Sequence, residues 1–134
     1  MVDADPVTTA FQGINSRQLR WAIVKVDTTS TVTLAATGPR SDGIAELVAA
    51  LSATEPCYVV YDFEAEKEDG AKMTKTIFVA YSPDECKVMG LKMALMQYAG
   101  NVKSKGSFSC EKQINDINDF NENEFRSYFN LPRI

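Results

Sequence analysis

Two stretches decide the fold: Cys57-Tyr58-Val59-Val60-Tyr61-Asp62-Phe63 and Ile77-Phe78-Val79-Ala80-Tyr81-Ser82-Pro83-Asp84. The first is β-branched and aromatic. It is apolar on both faces at its start and alternates towards its end, the pattern of a central strand covered from both sides. Between the two, Glu64 to Ala71 is charged and closes on Asp69-Gly70, a hairpin turn signal. Met73 to Tyr81 then alternates as the partner strand. Ser82-Pro83-Asp84 reads as the start of a longer helix that carries Val88, Leu91, Leu95, Tyr98 and Val102, with Gly90, Gly100 and Gly106 in or after it.

Upstream, Asp5-Pro6 reads as an N-cap followed by proline at the first helical position. Val7, Ala10, Phe11 and Ile14 recur at helical spacing over about residues 5 to 16. Trp21 to Val26 is a strand, Asp27 to Ser30 a turn and Thr31 to Ala35 its hairpin partner, with Gly38-Pro39 punctuating the end. Ser41 or Asp42 can cap a second helix whose stripe is Ile44, Leu47, Val48 and Leu51, with Glu46 reaching back to its first turn. Downstream, Phe108 to Ile114 alternates as a last strand, and Asn121 to Glu124 starts a terminal helix with Phe125, Tyr128 and Phe129. This order predicts an α/β fold over residues 1–134 as a single domain: one central mixed β-sheet of about five strands, flanked by helices on both faces.

The composition narrows the function. The 134 residues are 45% apolar and 24% charged, ordinary for a folded chain. With 14 basic against 18 acidic residues the net charge is −4, which disfavours nucleic acid and anionic membrane as partners. Histidine is absent. That removes Ser-His-Asp and Cys-His sites and the commonest zinc ligand, so the expectation is a protein without catalysis, metal or cofactor. Cys57, Cys86 and Cys110 are three, widely spaced, and read as buried free thiols in a reducing, cytosolic setting. Met1 to Pro6 has no signal-peptide pattern, and no segment reaches the ~20 apolar residues of a membrane span, so no membrane insertion is expected.

The strand pair ending in Tyr81-Ser82-Pro83-Asp84 resembles the most recognisable block of the actin-depolymerising-factor homology (ADF/cofilin) family, in which an apolar strand ends in Trp-Ser-Pro-Asp or a relative. Asn115-Asp116-Ile117-Asn118-Asp119-Phe120, before Asn121 to Phe125, is similar to that family's entry to its last helix. Within the family the likeness is strongest to coactosin. Trp21 to Asp27, Val32-Thr33-Leu34 with Gly43-Ile44-Ala45-Glu46-Leu47, Ala71 to Phe78, and Val102-Lys103 each resemble a coactosin run. The resemblance covers essentially the whole chain. It implies a cytoplasmic, cytoskeleton-associated monomer that binds filamentous actin, with monomeric actin as the alternative partner.

The departures matter as well. Cofilins open their long helix with two basic residues just before a methionine, whereas Met89-Gly90-Leu91-Lys92-Met93 keeps one lysine. The arginine of coactosin's Lys-Arg pair is Met73. Two alternatives therefore stand beside the coactosin-type reading: a cofilin-like depolymerising or severing factor, and a glia-maturation-factor-like regulator of branched nucleation. For the last, Tyr98-Ala99-Gly100 is the resembling run.

The resemblance makes Lys75 and Lys72 the first candidate actin contacts, followed by Lys92, Lys87, Met93 and Lys103. Each has an ordinary alternative. Lysines on an exposed strand discourage sheet-to-sheet pairing. Lys103 and Lys105 also complement a helix C-terminus. Met89, Met93 and Met96 either fill gaps in the core or offer an adaptable binding surface. Glu64 to Asp69 lacks the ligand spacing of a calcium loop and reads as a solvated hairpin. Tyr58, Tyr61 and Tyr81 interleave with no basic cluster and read as sheet core rather than a base-stacking platform.

Overall fold

The computed structural model describes residues 6–26, 32–67 and 69–132. Helix α1 (Pro6–Asn15) leads into β1 (Leu19–Val26) and β2 (Val32–Pro39). Helix α2 (Ile44–Ala50) precedes the long pair β3 (Cys57–Glu66) and β4 (Lys72–Tyr81). Helix α3 (Met89–Lys103), β5 (Cys110–Ile114), a 3-10 turn at Ile117–Asp119 and α4 (Glu122–Ser127) complete the order. The sheet runs β2-β1-β3-β4-β5, antiparallel throughout except for the parallel β4–β5 pair. The expected α/β class and mixed five-stranded sheet are therefore found, with β3 in the middle.

The pleat sorts the core into two layers. Tyr58, Val60 and Phe78 face α1 and α3, and join Phe11, Ile14, Leu95 and Val102. Val59, Tyr61, Phe63, Ile77, Val79 and Tyr81 face the other way and join Leu47, Phe120 and Phe125. All three candidate platform tyrosines are thus buried core. The Tyr58 hydroxyl donates to the Leu95 carbonyl at 2.5 Å and that of Tyr81 to the Ser52 carbonyl at 2.9 Å. Burial raises both phenols to about 12. Cys57 and Cys86 are buried free thiols as expected, while Cys110 is half-buried. Burial pushes the Cys57 thiol up to about 12, so it stays protonated.

Several local expectations change. The hairpin strand runs past Ala35 and ends at Pro39, with Gly38 paired to Trp21. A Cβ on Gly38 would sit 2.0 Å from the indole Nε1, so glycine is required there by close approach. The second helix is capped by Gly43 rather than Ser41 or Asp42. Asp42 instead accepts from Trp21 Nε1 at 3.2 Å, and Glu46 does reach back, accepting from the Gly43 amide at 2.7 Å. The last strand begins at Cys110, since Phe108 turns into the core to meet the rings of Phe11 and Phe78. The Asp5 cap and the Asp27–Ser30 turn lie outside the described residues.

The largest change is the start of α3. Ser82-Pro83-Asp84 is not helical. The Ser82 amide donates to the Ile114 carbonyl at 2.9 Å and the Asp84 amide to that of Asn115 at 3.1 Å, extending the β4–β5 contact past the strand end. The helix starts seven residues later, at Met89. Of the predicted stripe, Leu95 and Val102 are buried with Ala94. Leu91 and Tyr98 are half-buried, and Val88 is exposed.

Candidate functional site

The longest hairpin outruns its neighbours. β1 pairs with β3 only at Tyr58–Tyr61, and β5 pairs with β4 only at Ile77–Tyr81. The β3–β4 pairing continues from Asp62 opposite Thr76, whose carbonyl still accepts from the Ser109 amide at 2.8 Å, to Glu66 opposite Lys72. Residues 62–66 and 72–76 are thus a two-stranded ribbon standing beyond the sheet. Its turn is closed by the Lys67 amide donating to the Ala71 carbonyl at 2.8 Å and the Gly70 amide to that of Lys67 at 2.9 Å, with Gly70 at φ +84°. That positive φ is what Asp69-Gly70 predicts.

Lys72 and Lys75 both lie on this ribbon, exposed, with no ion pair to any described residue. They are three residues apart, so the pleat places them on opposite faces. Lys75 is on the side of Ile77 and α4, and Lys72 on the side of Phe78 and α3. Both lysines thus face solvent from the protruding start of β4, on its two opposite faces.

The other candidates cluster around α3. Val88, Met89, Met93 and Met96 are the exposed large apolar residues of the described chain, at 49, 67, 65 and 47%. Met89, Met93 and Met96 recur at i, i+4 and i+7, one helix face. Lys92, Met93, Met96 and Gln97 line a shallow cavity of about 550 Å³ on that face. The predicted core stripe lies on the other side, with Leu95 and Val102 buried and the Leu95 carbonyl accepting from Tyr58 under the sheet, which leaves the methionines outward. Lys87 is exposed in the segment before the helix, not on it. Lys103 pairs with Glu111 at 2.9 Å, so its charge is engaged within the molecule.

Sequence reasoning missed one constellation at the root of the ribbon. Asp62 is buried, and Arg40 Nη1 lies 2.7 Å from its Oδ2. Arg40 Nη2 reaches Glu64 Oε2 at 2.7 Å, and Arg20 Nη1 reaches Glu64 Oε1 at 3.0 Å. The same guanidinium groups donate to backbone: Arg20 to the carbonyls of Asp62 and Arg40, and Arg40 to that of Leu19, all at 3.0–3.1 Å. Partial burial raises the Glu64 carboxyl, but hydrogen bonds and charge from Arg20 and Arg40 outweigh it and hold it below its ordinary value. The available signal was Asp62 itself, since a carboxylate inside an apolar strand requires a cation. Among the described residues, no group of His, Cys, Asp and Glu is placed to hold a metal ion, and no helix is long and apolar enough to cross a membrane.

A five-stranded mixed sheet with this projecting hairpin and long helix defines an actin-depolymerising-factor homology fold. The chain belongs to the family of cofilin/tropomyosin-type actin-binding proteins, whose pattern matches residues 1–130. It is 31% identical over 72 residues to a cofilin of Mycosarcoma maydis, a match spanning 54% of this chain and 52% of that one. The chain thus spans about half the length of that curated relative. In three dimensions it is similar to Streptomyces griseoflavus cofilin, with a TM-score of 0.82, 22% identity and 92% of each chain covered. It is also similar to coactosin of Entamoeba histolytica, with a TM-score of 0.76, 18% identity and 96% of this chain and 91% of that one covered. At these identities the two structures establish the shared fold.

Proposed function

We propose that the chain binds the side of actin filaments as a coactosin-type, non-catalytic regulator. The observation that carries the reading is the open methionine face of α3: Met89, Met93 and Met96, with Lys92 beside them. Flexible thioethers next to a cation suit an adaptable, partly charged protein surface. The ribbon lysines Lys75 and Lys72 supply a second, charged contact, and Lys87 a third. Lys103 contributes least, because contacting a partner would mean releasing Glu111. Exposed charge pairs are individually weak and screened, so the affinity is on the order of micromolar and falls as salt rises.

A cofilin-like reading, with monomer binding and filament shortening, shares the exposed α3 face and is favoured by one further observation: a curated cofilin is a sequence relative. Co-sedimentation with filaments, run beside a monomer-binding assay, separates the two. Pelleting without monomer binding, lost in Met93→Glu and weakened in Lys75→Ala, is the expected outcome. Monomer binding with more actin left in the supernatant replaces the coactosin-type reading with the cofilin-like one. Pelleting unchanged in Met93→Glu removes the α3 face from the contact.

A further inference from the structure

A two-stranded ribbon in water is marginal unless something packs on it. Here the two faces are braced by different physics. On the α4 side, Phe63 lies against Phe125 and Phe129, with ring centroids 5.9 and 6.0 Å apart. On the opposite side, among the described residues, no ring contact reaches residues 62–66 or 72–76, and the β1–β3 pairing has ended. Trp21 opposite Tyr61 is the last β1–β3 pair, and at Arg20 the register with β2 shifts by one residue. The position next in line, Asp62, has its carbonyl met by the Arg20 guanidinium instead of by a strand amide. Glu64, one face-step further out, takes Arg20 on one oxygen and Arg40 on the other.

We infer that the Arg20–Glu64–Arg40 clamp is a positioning device that holds the β3–β4 ribbon in place of the missing strand and so aims Lys72 and Lys75 at their partner. The inference deepens the filament-binding reading and rests on it for the identity of that partner. Three chain segments meet at the clamp: β1 at Arg20, the turn after β2 at Arg40, and β3 at Asp62 and Glu64. Each arginine spans two of them, through a backbone carbonyl on one and a carboxylate on another. Glu64 is 44% exposed at its side chain, so unlike Asp62 it can be neutralised without stranding a buried charge. The brace is therefore separable from the core, and its strength depends on salt.

Amide hydrogen exchange on the free protein tests the clamp without reference to actin. In Glu64→Gln, amides of residues 62–66 and 72–76 should exchange about fivefold faster than in wild type, with those of residues 57–61 and 77–81 unchanged. In wild type, added salt should speed the same ribbon amides and leave the variant unmoved. Arg40→Lys should recover part of the protection that Arg40→Met loses, which tells a charge clamp from simple packing. Filament pelleting by Glu64→Gln should weaken several-fold. Ribbon exchange unchanged in Glu64→Gln overturns the clamp whatever actin does. Faster exchange with pelleting intact, while Lys75→Ala still weakens it, overturns the positioning role. Wild type that fails to pellet overturns the filament reading, and the exchange data still decide the clamp on their own.

Discussion

The inner and outer halves of the β3–β4 hairpin use one pairing pattern for opposite ends. In the inner half, Cys57–Tyr61 against Ile77–Tyr81, almost every side chain is buried, on whichever face it falls. In the outer half, Asp62–Glu66 against Lys72–Thr76, backbone pairing continues without interruption while the side chains, the buried Phe63 apart, become charged, hydroxylic or half-exposed. Continuous hydrogen bonding therefore says little about where stability resides. The inner half draws it from apolar burial on two faces, the outer half from one aromatic brace and one ionic one.

Four measurements break or sharpen that contrast. Ile77→Ala, fully buried in the inner half, should cost about 3 kcal/mol in urea unfolding; a loss under ~1 kcal/mol would mean the inner half is not the core it looks like. Tyr58→Phe removes the hydroxyl bonded to the Leu95 carbonyl and should cost about 1 kcal/mol by the same method. Glu64 gives a pH signature confined to the outer half. Its folded value lies below the ordinary 4.5, so its stabilisation is complete above 4.5 and disappears as pH falls through the lower folded value. Because the side chain is 44% exposed, that contribution is under about 1 kcal/mol, read as the difference in acid unfolding between wild type and Glu64→Gln. Lys75→Ala should change unfolding by less than ~0.5 kcal/mol while pelleting with filaments drops several-fold. A stability loss as large as that of Tyr58→Phe would make Lys75 a structural residue.

What was legible in the sequence follows the same division. The inner half announces itself: β-branched and aromatic residues alternate over Tyr58–Phe63 and Ile77–Tyr81, and two-sided burial follows from the run itself. The Asp69-Gly70 turn was equally clear, since its positive φ is a local demand. The start of α3 was not. Ser82-Pro83-Asp84 carries every local sign of a helix cap, but its amides are taken by Ile114 and Asn115, some thirty residues away. The outward turn of Met89, Met93 and Met96 was more legible, because Leu91, Leu95 and Tyr98 have the cleaner core spacing and leave the methionines on flanking faces. Of the candidate lysines, Lys72 and Lys75 fall on the strand the sequence placed them on, and its protruding start leaves both exposed. Lys103 was not separable from the rest until Glu111 was placed beside it. The clamp was hidden because nothing local in the sequence marks Arg20 or Arg40, and their partners come from distant segments of the chain.

The opposed orientation of Lys72 and Lys75 constrains the geometry of any partner. A flat surface can meet one side of a pleated ribbon, and then one lysine alone matters. Engaging both demands a cleft that admits the ribbon edgewise, or two molecules meeting across it. Single and double alanine substitutions at the two positions therefore act as a shape probe. If only one single variant weakens binding, the partner is planar at that point; if both do and their effects add, the ribbon is wedged between two walls.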